Sequence, residues 1–168
     1  MSCERDRDRF IVDANVGKLA RWLRMLGYDT LFSSDIDDSE LVRIGLREKR
    51  VIVTRDTQIM RRRVVADGRA RAILITDDDP RTQFRYLAEK LHLDREMQFT
   101  RCLECNRLLD RRSKAEVEGL VPPYVFKTQD QYYQCPGCQR IYWRATHWRH
   151  MTQELDELIG DKQQEVST

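Results

Sequence analysis

The residues best suited to chemistry in this sequence are aspartates that follow short apolar runs in its first half. Four runs occur, each leading into acid: residues 10–12 into Asp13, 30–32 into Asp35, Asp37 and Asp38, 51–54 into Asp56, and 72–76 into Asp77, Asp78 and Asp79. Carboxylate oxygens with no His or Cys nearby favour Mg²⁺ or Mn²⁺. Such ions can deprotonate water and hold a scissile phosphate for in-line attack. The pattern therefore predicts a catalytic divalent-metal site.

Each aspartate also has an ordinary structural interpretation, because Asp caps helices and forms turns. Taken singly, Asp38, Asp56 and Asp79 are better explained as helix caps, although a capping carboxylate keeps one oxygen for a ligand. Asp13 differs because it directly follows three apolar residues on what should be an inner strand. An unpaired carboxylate there is costly, so Asp13 requires a cation or hydrogen-bond donors.

Basic residues accompany the acids. Lys18, Arg21 and Arg24 fall off the apolar stripe of the first predicted helix, and residues 61–63 are three consecutive arginines. Either group alone is best explained as a solvated helix face. Arg55, next to Asp56, is the better candidate for a phosphate contact.

The four paired cysteines form the most specific motif. Cys102 and Cys105 make one Cys-x-x-Cys pair, and Cys135 and Cys138 make another. Four thiolates complete a tetrahedral Zn²⁺ shell with no open position, which predicts a structural zinc. A redox role for one pair is weaker because the pairs are doubled. His147 and His150 are spare candidate ligands. His92 is predicted to be a helix-end residue, and Cys3 is predicted to be an inert or disordered thiol.

The segment around the cysteines has a composition suited to nucleic acid. Residues 101–149 contain nine Lys and Arg against five Asp and Glu, together with several Tyr and Trp. This mixture favours stacking and phosphate contacts on single-stranded nucleic acid, with Arg140 and Arg144 as candidate contacts. At least half of the aromatic side chains should instead form the core of so small a module.

The elements that must position these residues alternate along the chain. Strands are predicted at 10–13, 29–32, 51–54 and 71–76, with helices at 15–26, 37–50, 56–68 and from Pro80 to about 93. Alternation of this kind predicts an α/β fold with a parallel sheet and right-handed crossovers. The acids following the strands should then share one edge of the sheet, where ligands of open α/β sheets bind.

The second half predicts a smaller module. Ser113 and Glu116 fit a capping box for a short helix, and short strands are predicted at 124–126, 131–134 and 140–143. A terminal helix is predicted at 147–159. The resulting organisation is a domain at 9–96, a zinc-binding module at 99–150 with its helix extending to about 159, and a disordered tail at 160–168. Residues 1–9 are predicted to be a frayed arm.

Composition limits the class of protein further. The chain has 168 residues, 40% hydrophobic and 35% charged, with a net charge of +2, so it can form a core but carries no strongly basic or acidic signature. No apolar run approaches the length of a membrane helix, and a secretory signal is not expected. Doubled cysteine pairs favour a metal site in a reducing compartment, so a cytoplasmic location is predicted.

Motifs along most of the chain resemble one family in order. The specific motifs are Gly-Lys-Leu-Ala-Arg-Trp-Leu-Arg at 17–24 and the two cysteine pairs; supporting motifs lie at 12–13, 27–30, 37–41, 54–56, 121–124, 142–143 and 147–148. They resemble the PIN-like ribonuclease domain with a C-terminal zinc ribbon, named for the C-terminal part of Mut-seven exonucleases. Residues 14–16, Ala-Asn-Val, depart from the Met-Leu pair that is more usual there.

The resemblance implies a PIN-like three-layer α/β/α sandwich, a divalent-metal RNase site and a structural zinc. Its acids fall on Asp13, the Asp37 and Asp38 pair, and Asp56, with Asp78 or Asp79 as a fourth. The leading hypothesis is a metal-dependent ribonuclease in which Lys18, Arg21 and Arg55 face the RNA backbone. The alternative is a catalytically silent RNA-binding adaptor whose acids only cap helices. A receiver-like phosphoryl-transfer pocket is disfavoured because no Lys follows the fourth strand, where Arg81 is the nearest base.

Overall fold

The computed structural model describes residues 7–94, 100–144 and 146–160. The chain divides into two compact units, residues 1–99 and 100–168, and each is described by itself. None of the described helices is long and apolar enough to cross a membrane.

The first unit is a four-stranded parallel sheet with helices between the strands. Its elements are β1 (Phe10–Val12), α1 (Lys18–Met25), β2 (Thr30–Phe32), α2 (Asp38–Glu48), β3 (Val51–Thr54), α3 (Thr57–Arg61), α4 (Arg63–Ala66), β4 (Ala72–Leu74) and α5 (Pro80–Lys90). The strands lie in the order β2-β1-β3-β4, and every pair is parallel. The predicted α/β class is confirmed.

Helices cover both faces of this sheet, which makes the unit a PIN-like three-layer sandwich. On one face Ile11 and Ile52 pack with Leu41 and Ile44 of α2. The right-handed crossover of α1 runs the other way along the sheet, so α1 lies on the opposite face. There Trp22 meets Phe84 of α5 with ring centroids 5.4 Å apart. The strands are apolar runs because both of their faces are buried.

One glycine lets α2 approach the sheet closely. A Cβ at Gly45 would lie 2.6 Å from Cγ1 of Ile52 in β3, closer than side chains can pack. Because Asp38 is the first residue of α2, this approach also helps to set the position of Asp38 relative to the strand ends.

Several local predictions for the first unit were wrong. The first helix is split into a 3-10 turn (Ala14–Val16) and α1, and the helix after Asp56 is interrupted at Arg62. Arg24, predicted on a solvated face, is buried and donates a 3.0 Å hydrogen bond from Nε to the Thr30 carbonyl. Arg7 of the predicted arm packs over the Tyr28 ring at 4.2 Å, so the described end of the arm is not frayed. Residues 1–6, with Cys3, lie outside the described residues.

The second unit is a three-stranded antiparallel sheet with short helices. Its elements are β5 (Asp110–Arg112), a 3-10 turn (Ala115–Val117), α6 (Pro123–Thr128), β6 (Tyr132–Gln134), β7 (Ile141–Trp143) and α7 (Thr146–Gly160). Tyr132 is fully buried against Val117 and Val121, with Trp143 packed on the same cluster. Some of the aromatic side chains are therefore core residues, as expected.

One predicted strand of this unit is wrong, one strand was not predicted, and one predicted capping box is confirmed. Residues 124–126 form part of α6 rather than a strand, because Pro123 at the first helical position favours helix initiation. The third strand is instead the charged β5, which has no apolar signal. The capping box is confirmed: the Ser113 N–H donates to Oε2 of Glu116 at 2.7 Å, and the Glu116 N–H donates to Oγ of Ser113 at 3.4 Å. Gly160, the first residue of the predicted disordered tail, is instead the last residue of α7, and residues 161–168 lie outside the described residues.

Candidate active site and four-cysteine site

The carboxyl ends of the parallel strands place acids along one edge of the first unit, here called the acid edge and defined by Asp13, Asp38 and Asp56. Asp13 directly follows the inner strand β1, Asp56 follows β3, and Asp38 begins α2 after β2. The chain runs from β1 to β2 on one side and then to β3 on the other. The acid edge therefore lies at the point of the sheet where ligands of α/β folds bind.

A buried hydroxyl links two of these acids. Asp13 is only 8% exposed, and its Oδ2 accepts a 2.6 Å hydrogen bond from Oγ1 of Thr54, the last residue of β3. The same Oγ1 accepts a 2.9 Å hydrogen bond from the Asp56 N–H. Thr54 thus supplies the donor that buried Asp13 requires and fixes the start of the segment carrying Asp56. This role of Thr54 was not predicted from the sequence, where the available signal was a hydroxyl residue at a strand end.

The third acid, Asp38, is brought close to the other two. Partial burial raises the pKa of Asp38, and repulsion from Asp56 and Asp13 raises it further, against a lowering by Arg62. A hydrogen bond shared with the Asp56 side chain acts in the same direction. Asp38 therefore lies near Asp13 and Asp56, and negative charge is concentrated there.

The neighbouring aspartate, Asp37, has a different role. Its Oδ1 accepts a 2.9 Å hydrogen bond from the Glu40 N–H, which makes Asp37 the N-cap of α2. Asp56 also caps a helix, since its Oδ1 accepts from the Gln58 N–H at 2.7 Å. Asp56 therefore combines the two interpretations, since the capping hydrogen bond uses Oδ1 and not its second oxygen.

The predicted fourth acid and the predicted basic contacts are arranged as follows. Asp78 is exposed and pairs with Arg55, whereas Asp79 caps α5 by accepting 2.9 Å hydrogen bonds from Thr82. The described contacts thus join Asp78 to Arg55 rather than to the acid edge. Lys18 and Arg21 are exposed on α1.

The donor set of the acid edge fits a hard divalent cation. It consists of carboxylate oxygens together with a threonine hydroxyl. Within the described ranges, however, the four cysteines are the one group of three or more His, Cys, Asp or Glu found close enough to hold an ion as placed. The acids of the acid edge are therefore spaced more widely than the four cysteines, which makes the acid edge the more open of the two candidate sites.

The four cysteines fit a zinc ion. Their sulfurs all lie within 4.8 Å of one another, and none forms a disulfide. Cys102 and Cys138 have their sulfurs 3.6 Å apart, and Cys105 and Cys135 have theirs 3.2 Å apart. With Zn–S bonds of about 2.3 Å, the sulfurs of a tetrahedral site are about 3.8 Å apart. The short sulfur pairs join the two Cys-x-x-Cys turns, which favours shared metal binding over a redox pair within one turn.

The two turns have the same backbone construction. Asn106 N–H donates to the Cys102 carbonyl at 3.0 Å, and Gln139 N–H donates to the Cys135 carbonyl at 3.0 Å. Asn106 and Gln139, each following the second cysteine of its pair, both adopt left-handed conformations with φ of 68° and 62°. Each pair of ligands is therefore positioned by a local turn.

Tyr142 of β7 contacts this site directly. Its hydroxyl lies 3.1 Å from Sγ of Cys102. Burial alone would raise the pKa of Cys102, but the Tyr142 hydrogen bond and the backbone N–H groups of Cys105 and Glu104 lower that pKa to about 6. Burial and the adjacent thiolate raise the pKa of Tyr142, so Tyr142 remains a donor. Of the spare histidines, His150 is exposed and the His147 side chain lies outside the described residues.

An acid edge on a PIN-like sandwich, combined with a four-cysteine ribbon, defines the class of nuclease-type domains that the motifs resemble. The chain matches the family described as Mut7-C RNAse domain over residues 8–155, and it belongs to that family. Comparison with curated proteins and with solved structures gave no match.

Proposed function

We propose that this chain is a metal-dependent ribonuclease that hydrolyses RNA phosphodiester bonds at the acid edge. The observation that carries the proposal is the convergence of Asp13, Asp38 and Asp56 beyond the ends of parallel strands. Membership of the Mut7-C RNAse domain family supports a ribonuclease-type function. Like charges gathered in this way repel one another, and a bound cation offsets the repulsion.

Mg²⁺ or Mn²⁺ would supply a Lewis acid and a more acidic bound water. Asp13, oriented by Thr54, and the second oxygen of Asp56 would bind the ion. Asp38, with its raised pKa, is the carboxyl best suited to accept a proton from water. Asp37 and Asp78, which were also predicted to be catalytic, would act indirectly, Asp37 through its cap on α2 and Asp78 through its pair with Arg55.

RNA binding would use cations in both units. Lys18 and Arg21 are exposed on α1, and Arg140 and Arg144 are exposed at the ends of β7. Arg55 would exchange its exposed partner Asp78 for a phosphate. Single-stranded RNA is the proposed partner because its bases can stack on side chains of the zinc module. The four cysteines would hold a structural Zn²⁺, and a cytoplasmic location remains a prediction.

The test is cleavage of a labelled single-stranded RNA with Mn²⁺, comparing the wild type with Asp13→Asn and Asp56→Asn. Both variants should lose at least about 100-fold in rate, since each removes a charged ligand of the ion. Asp35→Asn is the matched control, because Asp35 is an exposed acid after β2 that takes no part in the acid edge. Undiminished cleavage by both variants would refute the catalytic assignment.

The adaptor hypothesis has one observation in its favour, since Asp37, Asp56 and Asp79 do cap helices. It predicts RNA binding without cleavage under any Mg²⁺ or Mn²⁺ concentration. The same RNA in a binding assay extends the comparison to the zinc module: Arg140→Ala combined with Arg144→Ala should weaken binding and flatten its salt dependence if the module contacts RNA. Unchanged affinity would leave the module a purely structural role.

A further inference from the structure

The three consecutive arginines at 61–63 are not equivalent in the structure. Arg61 ends α3 and Arg63 begins α4, and both are exposed. Arg62 lies between the helices with an extended backbone, φ −60° and ψ 135°, and its side chain is partly buried. The interruption at Arg62 therefore separates it from the helical positions of its neighbours.

The Arg62 guanidinium reaches the acid edge. Its Nη1 donates a 3.1 Å hydrogen bond to Oγ of Ser39, the residue next to Asp38 in the first turn of α2. Its positive charge also acts on the Asp38 carboxyl, where it opposes the repulsion from Asp13 and Asp56. A cation distant in sequence thus lies beside Asp38 of the acid edge.

A role in stability alone accounts poorly for this arrangement. A guanidinium has five N–H donors, and Arg62 donates its hydrogen bond from Nη1 to a neutral serine hydroxyl. Among residues 7–94, 100–144 and 146–160, no carboxylate oxygen is recorded within ion-pair distance of Arg62, although arginines such as Arg50 do form close ion pairs. Arg62 therefore keeps donors for an oxyanion while lying near the acids.

We propose that Arg62 binds the RNA phosphodiester at the acid edge, with its guanidinium contacting non-bridging phosphate oxygens. The planar fork of arginine matches the geometry of a phosphate, and the cation would offset repulsion between the phosphate and the three carboxylates. Ser39 holds the side chain in position before RNA arrives. This inference rests on the proposed ribonuclease function, since it assigns the substrate contact of the same site.

The test measures RNA binding separately from catalysis. Affinity of a fluorescent single-stranded RNA is measured by anisotropy in Ca²⁺ over a range of salt concentrations, for Arg62→Ala, Arg62→Lys and the wild type. Arg61→Ala and Arg63→Ala are matched controls, since each removes the same charge from a neighbouring position. Arg62→Ala should weaken binding about tenfold and reduce the salt slope by about one. Arg62→Lys should recover part of the affinity, and the two controls should stay within about twofold of wild type.

Ser39→Ala and thermal unfolding separate a substrate contact from a structural one. If Arg62→Ala and Ser39→Ala lower affinity equally and in proportion to a loss of stability, the contact is structural and the proposal is overturned. Affinity of Arg62→Ala equal to that of the two controls also overturns it. If the wild type fails to cleave RNA while Arg62→Ala alone weakens binding, the phosphate contact stands and the ribonuclease function fails. If the wild type cleaves RNA but Arg62→Ala binds RNA as tightly as the wild type does, the ribonuclease function stands and the phosphate contact fails.

Discussion

The acid edge and the four-cysteine site show two ways of bringing metal-binding side chains together. The cysteines come from two local turns with the same backbone hydrogen bonds, and their sulfurs lie within 4.8 Å of one another. The three acids come from segments after three different strands, and only the parallel sheet makes them neighbours. The cysteines, positioned by local turns, therefore form a closed set of ligands. The acids, brought together by the sheet, form an open set.

This difference has consequences for stability. A closed set of thiolates around Zn²⁺ contributes directly to folding of a small unit. An open set of carboxylates costs stability until a cation binds, because its charges repel one another. Three substitutions test this contrast.

Cys135→Ser should have the largest effect. Cys135 is fully buried, and its carbonyl and amide both take part in the second turn. The wild type should contain about one zinc per chain, and the variant should lose this zinc together with the folded structure of residues 100–144. Metal analysis and hydrogen exchange measure both changes, with protection of residues 10–90 as the internal control. Full protection of 100–144 in a zinc-free variant would show that the ribbon does not depend on metal.

Tyr142→Phe should have an intermediate effect at the same site. The variant removes the hydroxyl that hydrogen-bonds to Sγ of Cys102 but keeps the ring. Loss of such a partner of a metal ligand typically lowers metal affinity by about tenfold or more. Transfer of zinc to a chromogenic chelator should therefore be faster, with folding retained. Tyr133→Phe, on the neighbouring strand opposite Tyr142, is the control, and equal release rates for both variants would contradict a specific role of Tyr142.

Asp38→Asn should have the smallest effect, and of the opposite sign. Because the folded state raises the pKa of Asp38, it holds that proton more tightly than the unfolded chain does. Ionisation of Asp38 therefore lowers stability as pH rises from its ordinary pKa of 3.8 through the raised value.

Without divalent ions at pH 7, Asp38→Asn should raise the melting temperature slightly, with a gain in unfolding free energy of no more than about 0.5 kcal/mol. It should leave most of the stabilisation by Mn²⁺ in place, because Asp13 and Asp56 are the proposed ligands of the ion. Calorimetry between pH 4 and 8, with Asp35→Asn as control, measures both. A lower melting temperature for Asp38→Asn at pH 7 would contradict the repulsion.

The sequence by itself determined the features that depend on local chemistry. The four cysteines were predicted because a Cys-x-x-Cys turn positions its own ligands. The caps at Asp56 and Asp79 and the Ser113 and Glu116 capping box were predicted because each bond joins residues close in sequence. The α/β class followed from the alternation of apolar runs and amphipathic helices, since burial on both sheet faces leaves that pattern.

Tertiary structure decided the features that depend on residues distant in sequence. Asp38 rather than Asp37 joins the acid edge because α2 begins there against the sheet, and Thr54 meets Asp13 across 41 residues of chain. Arg24 and Arg62 have the sequence of solvated arginines, yet one is buried on a backbone carbonyl and the other lies beside the acids. Charge and periodicity in the sequence predict which side of a helix carries an arginine. The groups that contact this arginine come from other segments, and only folding brings those segments together.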